Sequence, residues 1–186
     1  RAVTAALEGQ SDLILVGHSM AGIVIPMVAD ALPVQQLIYL AGVLRSPGRS
    51  LAQDYEDGDG KDMTPSEFTG EGLEREQGFT RWGRPEAAIA AMYHDCDVET
   101  ARQAALRLRR QYASHWSDVS PQKAWPSVPA AYVLCTGDRV VSSEWARRMV
   151  PRWLGVEPIE IPGGHSPFLA RPGELAQLLV RIATGT

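Results

Sequence analysis

Apolar positions along this chain fall into two patterns, short unbroken runs and longer stretches spaced at helical intervals. Leu13-Ile14-Leu15-Val16 is the first unbroken run, bounded by Asp12 and Gly17. A run without polar alternation predicts a strand covered on both faces, and therefore a parallel sheet. Gln36-Leu37-Ile38-Tyr39-Leu40 repeats the pattern and ends at Ala41-Gly42; Ala130 to Cys135 and Glu157 to Ile161 supply two further strands. Helices are predicted between them. Ile23 to Leu32 is one, with Pro26 inside it as a kink, because proline cannot donate to the carbonyl four residues back. Ser142 to Val150 is another, and Glu174 to Ala183 closes the chain, entered through Pro172-Gly173. Ahead of the first strand, Val3 to Leu7 reads as the tail of a helix with Gly9 as its stop. Strands alternating with helices predict an α/β fold: a parallel sheet with helices on both faces.

The rhythm breaks between Val43 and Trp125. Gly48 to Gly60 is polar, and its acidic cluster, Asp54, Glu56, Asp57 and Asp59, reads as solvated surface. Pro85 opens a helix over Glu86 to His94, proline being suited to a first turn. Asp97 is placed to cap Val98 to Gln111, with Glu99 in the first turn and Arg107, Arg109 and Arg110 in the last, as the helix dipole favours. The expected organisation is an α/β core of residues 1–42 and 126–186, interrupted by a mostly helical cap insertion over 43–125.

Bulk properties narrow the function classes. A chain of 186 residues can bury one sizeable core. A net charge of -4 and the lack of any basic run give no reason to bind nucleic acid or an anionic membrane. The longest apolar stretch, Leu13 to Val28, is broken by His18, Ser19 and Pro26 and does not suit a bilayer. Cys96 and Cys135 have neither framework nor Cys-x-x-Cys spacing, which predicts free thiols and a cytoplasmic location. The chain opens at Arg1 inside a helix tail, with no secretory pattern, and so reads as a piece of a longer protein.

The candidate chemistry lies at strand ends. Gly17-His18-Ser19-Met20-Ala21 joins the first strand to a helix, the setting in which G-x-S-x-G becomes a nucleophile elbow. A strained turn there lifts the serine hydroxyl above the sheet, and small neighbours let the helix leave close to the strand. Ala21 replaces the usual second glycine, one methyl group more. The Met20 N–H is the expected oxyanion donor. A serine nucleophile needs a base, and the base an orienting carboxylate. Asp138 follows the third strand and His165 the fourth, in the chain order this fold uses. The plainer readings are a helix-capping Asp138 and a loop histidine. Rival acids Asp95, Asp97 and Asp118 lie in or beside the insertion. His18 is read as support or pocket lining. His94-Asp95-Cys96 does not read as a metal site, since three adjacent residues cannot easily converge on one ion.

Three segments carry a family resemblance: Leu13 to Ile25 (LILVGHSMAGIVI), Tyr132-Val133-Leu134-Cys135-Thr136-Gly137-Asp138-Arg139, and Gly163-Gly164-His165-Ser166-Pro167-Phe168. Together they resemble the methylesterase and hydroxynitrile-lyase branch of the α/β-hydrolases, including its bacterial relatives. The resemblance implies an enzyme without cofactor or metal, with a helical cap over an apolar pocket. It implies cleavage of small carboxylic esters through an acyl-enzyme on Ser19, with His165 as base, Asp138 as acid and Met20 as an oxyanion donor. Phe79, Trp82, Met92, Tyr93 and Phe168 are candidates for lining that pocket, or for packing the cap. Lyases of this branch carry lysine after the catalytic histidine; here that position is Ser166, which favours the esterase. A hydroxynitrile lyase and a non-catalytic small-molecule-binding homologue remain the alternatives. The expected partner is a small apolar ester, with no nucleic acid and no membrane; a homodimer is left open. Family members begin with about four more strands, and a second oxyanion donor sits in an early loop. Neither lies within this chain, so the 186 residues alone are expected to be feeble or inactive, with a bare edge on the first strand.

Overall fold

The computed structural model describes residues 1–186 other than Glu67, Thr69 and Thr186. Helix α1 (Ala2–Ala6) leads into β1 (Leu13–His18), a 3-10 turn (Ser19–Ile23), the short α2 (Ile25–Ala29) and β2 (Val34–Leu40). Next come α3 (Leu51–Glu56), β3 (Leu73–Glu76), β4 (Phe79–Trp82), α4 (Pro85–Met92), α5 (Val98–Leu106) and β5 (Gln111–Tyr112). A second 3-10 turn (Ala113–Trp116) precedes β6 (Ala130–Cys135), α6 (Ser143–Leu154), β7 (Ile159–Ile161), α7 (Pro167–Ala170) and α8 (Pro172–Thr184).

The expected parallel sheet is present, in the order β1-β2-β6-β7. Side chains alternate across it and feed two cores. Leu37, Tyr39, Tyr132 and Leu134 point to one face, where they meet Trp145, Met149 and Val150 of α6. Ile38, Leu40, Val133 and Cys135 point to the other, against Leu175 and Leu178 of α8. Burial of these apolar faces, at roughly 25 cal/mol per Å², is the main force holding the layers together. Tyr132 is fully buried, and its hydroxyl donates to the Gly42 carbonyl at 2.7 Å, so the polar tip is satisfied.

Several local expectations need correction. Val16 is 45% exposed, so β1, an outer strand, is not covered on both faces. Pro26 lies in the first turn of α2, where its missing N–H has no partner to lose, and it kinks nothing. Asp97 does cap α5, its Oδ1 accepting from Thr100 N–H at 3.0 Å, but the helix stops at Leu106. Arg107, Arg109 and Arg110 therefore lie beyond it, because Gln111 and Tyr112 leave to pair with β4. Asp54 is no solvated surface group: it is 2% exposed and accepts from Ser46 N–H and Arg49 Nε, each at 2.9 Å.

The segment between β2 and β6 has its helices, but also a small antiparallel sheet, β3-β4-β5. Gln77 and Gly78, both at positive φ, form the two-residue turn that joins β3 to β4. The start of this segment is not separate from the main core, since Leu44, Leu51 and Met63 pack into it. Among the described residues the part around α4 and α5 has its own cluster, built on Ala88, Tyr93, Ala101 and Ala105 and touching Leu169 of α7. Among the described residues no helix is long and apolar enough to cross a membrane.

Candidate active site

Ser19 stands where β1 gives way to the 3-10 turn, with φ at +52°. This left-handed conformation is strained for serine and is the elbow expected of the motif. Close packing maintains it. The Val43 N–H donates to the Ser19 carbonyl at 2.9 Å, drawing the chain after β2 against the turn. A Cβ on Gly22 would lie 2.4 Å from the Val43 carbonyl oxygen, so glycine is required there for the two backbones to approach. Ala21 is tolerated because the crowding falls on Gly17 and Gly22, on either side of it. The Met20 N–H is the second of the Ser19–Ile23 turn, where the first N–H groups have no carbonyl partner within the turn itself.

The loops after β6 and β7 are tied together beyond the strands. Thr136 N–H donates to the Ile161 carbonyl at 3.0 Å, and Gly137 N–H to the Gly163 carbonyl at 2.8 Å. Gly163, at φ +100°, then turns the chain so that the next loop can return over the sheet. The result is a buried pair: His165 Nδ1 lies 2.8 Å from Asp138 Oδ2, with side-chain exposures of 0% and 1%. The other carboxylate oxygen, Oδ1, accepts from Val140 N–H at 2.7 Å and Val141 N–H at 3.0 Å. Asp138 thus caps the following turn and orients the imidazole at once.

A hydrogen bond from Ser19 to His165, the contact a serine nucleophile makes with its base, is not made. His165 Nε2 is buried and has no hydrogen-bond partner, so Ser19 Oγ is not bonded to it. Such contacts are often open without substrate and tighten in the Michaelis complex. The imidazole is nonetheless beside the serine turn, its ring centroid 4.6 Å from that of His18. His18 also packs edge-on against Phe168 at 4.9 Å, and its Nε2 is 2.7 Å from the His165 carbonyl. Burial first, then the neighbouring His165, lowers the His18 pKa to about 4. His18 is therefore neutral and donates that hydrogen bond to the His165 carbonyl.

The other candidates separate. Trp82 lines a cavity of about 740 Å³ with Arg84, Ala87, Ala91, Asp138 and Arg139. Ser19 and His165 are not among the described residues of that wall. Met92 and Tyr93 pack within the α4–α5 cluster. Phe79 lies against Tyr112 and beneath the Arg110 guanidinium, 4.4 Å from its ring. Cys96 and Cys135 are free, and burial raises the Cys135 thiol to about 12, which leaves it inert.

Asp95, one of the rival acids, reaches the site in an unexpected way. Its Oδ2 accepts from Gly164 N–H at 2.7 Å, beside His165, and it does not bond the imidazole. Sequence reasoning gave it no role, because nothing local signals a contact 69 residues away.

The profile of the Alpha/beta hydrolase family matches residues 1–178. The α-hydroxynitrile lyase of Arabidopsis thaliana is 28% identical over 192 residues, covering 96% of this chain and 73% of the relative. Methylesterase 10 of the same plant is 28% identical over 196 residues, covering 96% and 69%. The crystal structure of a pyrethroid hydrolase from Sphingobium faniae JZ-2 superposes with a TM-score of 0.82 at 23% identity, covering 99% of this chain and 76% of that one.

Proposed function

This chain belongs to the α/β-hydrolase family, on its methylesterase and hydroxynitrile-lyase branch, and from that premise we propose a serine hydrolase of small carboxylic esters. One observation carries the reading. A fully buried imidazole is oriented by a carboxylate through Nδ1, its Nε2 is left without a partner, and its ring lies 4.6 Å from that of His18, the residue before the strained Ser19. A general base needs that tautomer and that free nitrogen.

Ser19 Oγ attacks the ester carbonyl as His165 Nε2 takes the hydroxyl proton. The carbonyl π pair moves onto oxygen, and the Met20 N–H donates to the developing oxyanion. Collapse breaks the bond to the alcohol, which leaves with the proton from His165. Water, activated by the same nitrogen, then cleaves the acyl-enzyme and returns the proton to Ser19. Asp138 stays ionised throughout and holds the imidazolium. Phe168, half-exposed and packed on His18, offers an apolar surface suited to a small apolar acyl or alcohol group.

The lyase reading has less support. The residue after His165 is Ser166, whose buried hydroxyl supplies no cation for a leaving cyanide. The test is burst release of nitrophenol from a short aryl ester by the intact protein and by Ser19→Ala. A burst in the wild type, lost in the variant, is expected. Equal turnover contradicts the proposal, aldehyde release from a cyanohydrin would make the protein a lyase, and tight binding without turnover would make it a receptor.

A further inference from the structure

We infer that Asp95 is a positioning residue: it fastens the segment between β2 and β6 to the loop that carries His165, and so fixes the imidazole for proton transfer. The inference rests on the hydrolase reading and adds a residue to it. Its basis is the 2.7 Å bond from Gly164 N–H to Asp95 Oδ2, immediately before the base in sequence. A carboxylate acceptor makes such a bond about twice as strong as a neutral one.

The surroundings show that Asp95 is committed to this backbone. A Cβ on Gly164 would lie 2.7 Å from Asp95 Oδ1 and 2.6 Å from the His94 ring, and a Cβ on Gly163 2.5 Å from Asp95 Oδ2 and 2.6 Å from Arg171 Nε. Three side chains therefore press on bare glycine backbone. Among the described residues Asp95 makes no ion pair within 4.0 Å, and its own Oδ1, Arg171 Nε and His94 Nδ1 are buried without a hydrogen-bond partner, so the Gly164 amide is the one hydrogen bond given to the carboxylate.

The loop before His165 is thus held from two sides. On one, the Gly163 carbonyl accepts from Gly137 N–H, tying it to the acid loop. On the other, Gly164 N–H reaches Asp95 in the joint between α4 and α5. The same part of the chain grips the acid loop as well, since Arg139 Nη1 donates to the Ala90 carbonyl at 3.2 Å. Docking of the α4–α5 unit and orientation of the base are one event. A displacement of about 1 Å in a reacting group lowers rates about 100-fold, so a bond at this point has leverage over kcat.

The experiment compares Asp95→Ala and Asp95→Asn in the intact protein by two readouts. The first is amide hydrogen exchange of the peptide spanning Pro162–Phe168, which is independent of activity. The second is kcat and KM on a short aryl ester. Alanine is expected to speed exchange at least about tenfold, the loss of one charge-assisted bond, while asparagine, which keeps an acceptor oxygen without the charge, speeds it by less than alanine does. Alanine should also lower kcat about 10- to 100-fold with KM within about twofold, and asparagine should recover part of that loss. Wild-type exchange in the alanine variant overturns the inference, as does unchanged kcat or an asparagine variant as impaired as alanine. Absence of Ser19-dependent turnover in the wild type defeats the hydrolase reading instead, and the exchange arm then decides the Asp95 bond alone.

Discussion

The Nδ1 atom of His165 lies 2.8 Å from Asp138 Oδ2, and solvent reaches neither side chain. Both carboxylate oxygens are used, one on the ring and one on the Val140 and Val141 amides, so the acid cannot rotate away from the base. Asp138→Asn preserves size and can preserve the amide contacts, but its NH₂ group selects the wrong imidazole tautomer. A fall in kcat of about 10,000-fold is expected, the scale of catalysis lost when a triad imidazole is held in the wrong tautomer. Steady-state kinetics on an aryl ester, with circular dichroism to confirm folding, check it.

His18 makes stability depend on pH. Its folded pKa, about 4, lies below the 6.5 of the unfolded chain. Between these values the unfolded state binds the extra proton, so stability falls as pH drops through this window and is level below it. The change has an upper bound of about 3 kcal/mol. The difference between the urea midpoints at pH 7 and pH 4.5 should be smaller in His18→Gln, which can still donate to the His165 carbonyl, than in the wild type; burial lowers the His94 pKa as well, so part of the response remains. An equal pH response in both proteins would remove His18 from the account.

The elbow motif places its steric demand at position 22 and not at 21. Gly22→Ala would drive a methyl group to 2.4 Å from the Val43 carbonyl oxygen. A loss of about 1–3 kcal/mol is expected, the usual range for overpacking, together with loss of activity as the turn shifts. Ala21→Gly should leave activity within about twofold and stability within about 1 kcal/mol. Thermal unfolding and ester turnover of the two variants compare the positions.

Tyr132 joins the sheet to the end of β2 through its hydroxyl bond to the Gly42 carbonyl. Tyr132→Phe keeps the ring and leaves that carbonyl buried without its partner. The expected cost is about 1–3 kcal/mol in urea unfolding, with KM unchanged.

Much of this architecture is legible in local pattern. Ala130 to Cys135 carries its strand boundaries in its own apolar run, and Asp97 and Ser142 announce the helices that follow them. The chain order of Ser19, Asp138 and His165 points to three strand ends because each follows a strand that its own segment predicts. What escaped depends on contacts that no apolar periodicity marks. Leu73–Glu76 has no inward face, all four residues being exposed, so periodicity could not mark β3. The pairing of Gln111 and Tyr112 with β4, which ends α5 early, is likewise tertiary. Asp54 resembles its acidic neighbours until the chain folds Ser46 and Arg49 around it.

The most direct test is the mass of the intact protein after brief exposure to a slowly deacylating aryl ester. The account predicts a single acyl adduct on Ser19, absent in Ser19→Ala and much slower to form in His165→Ala. Unmodified protein that nonetheless turns over the ester, or an adduct that persists in Ser19→Ala, would contradict it.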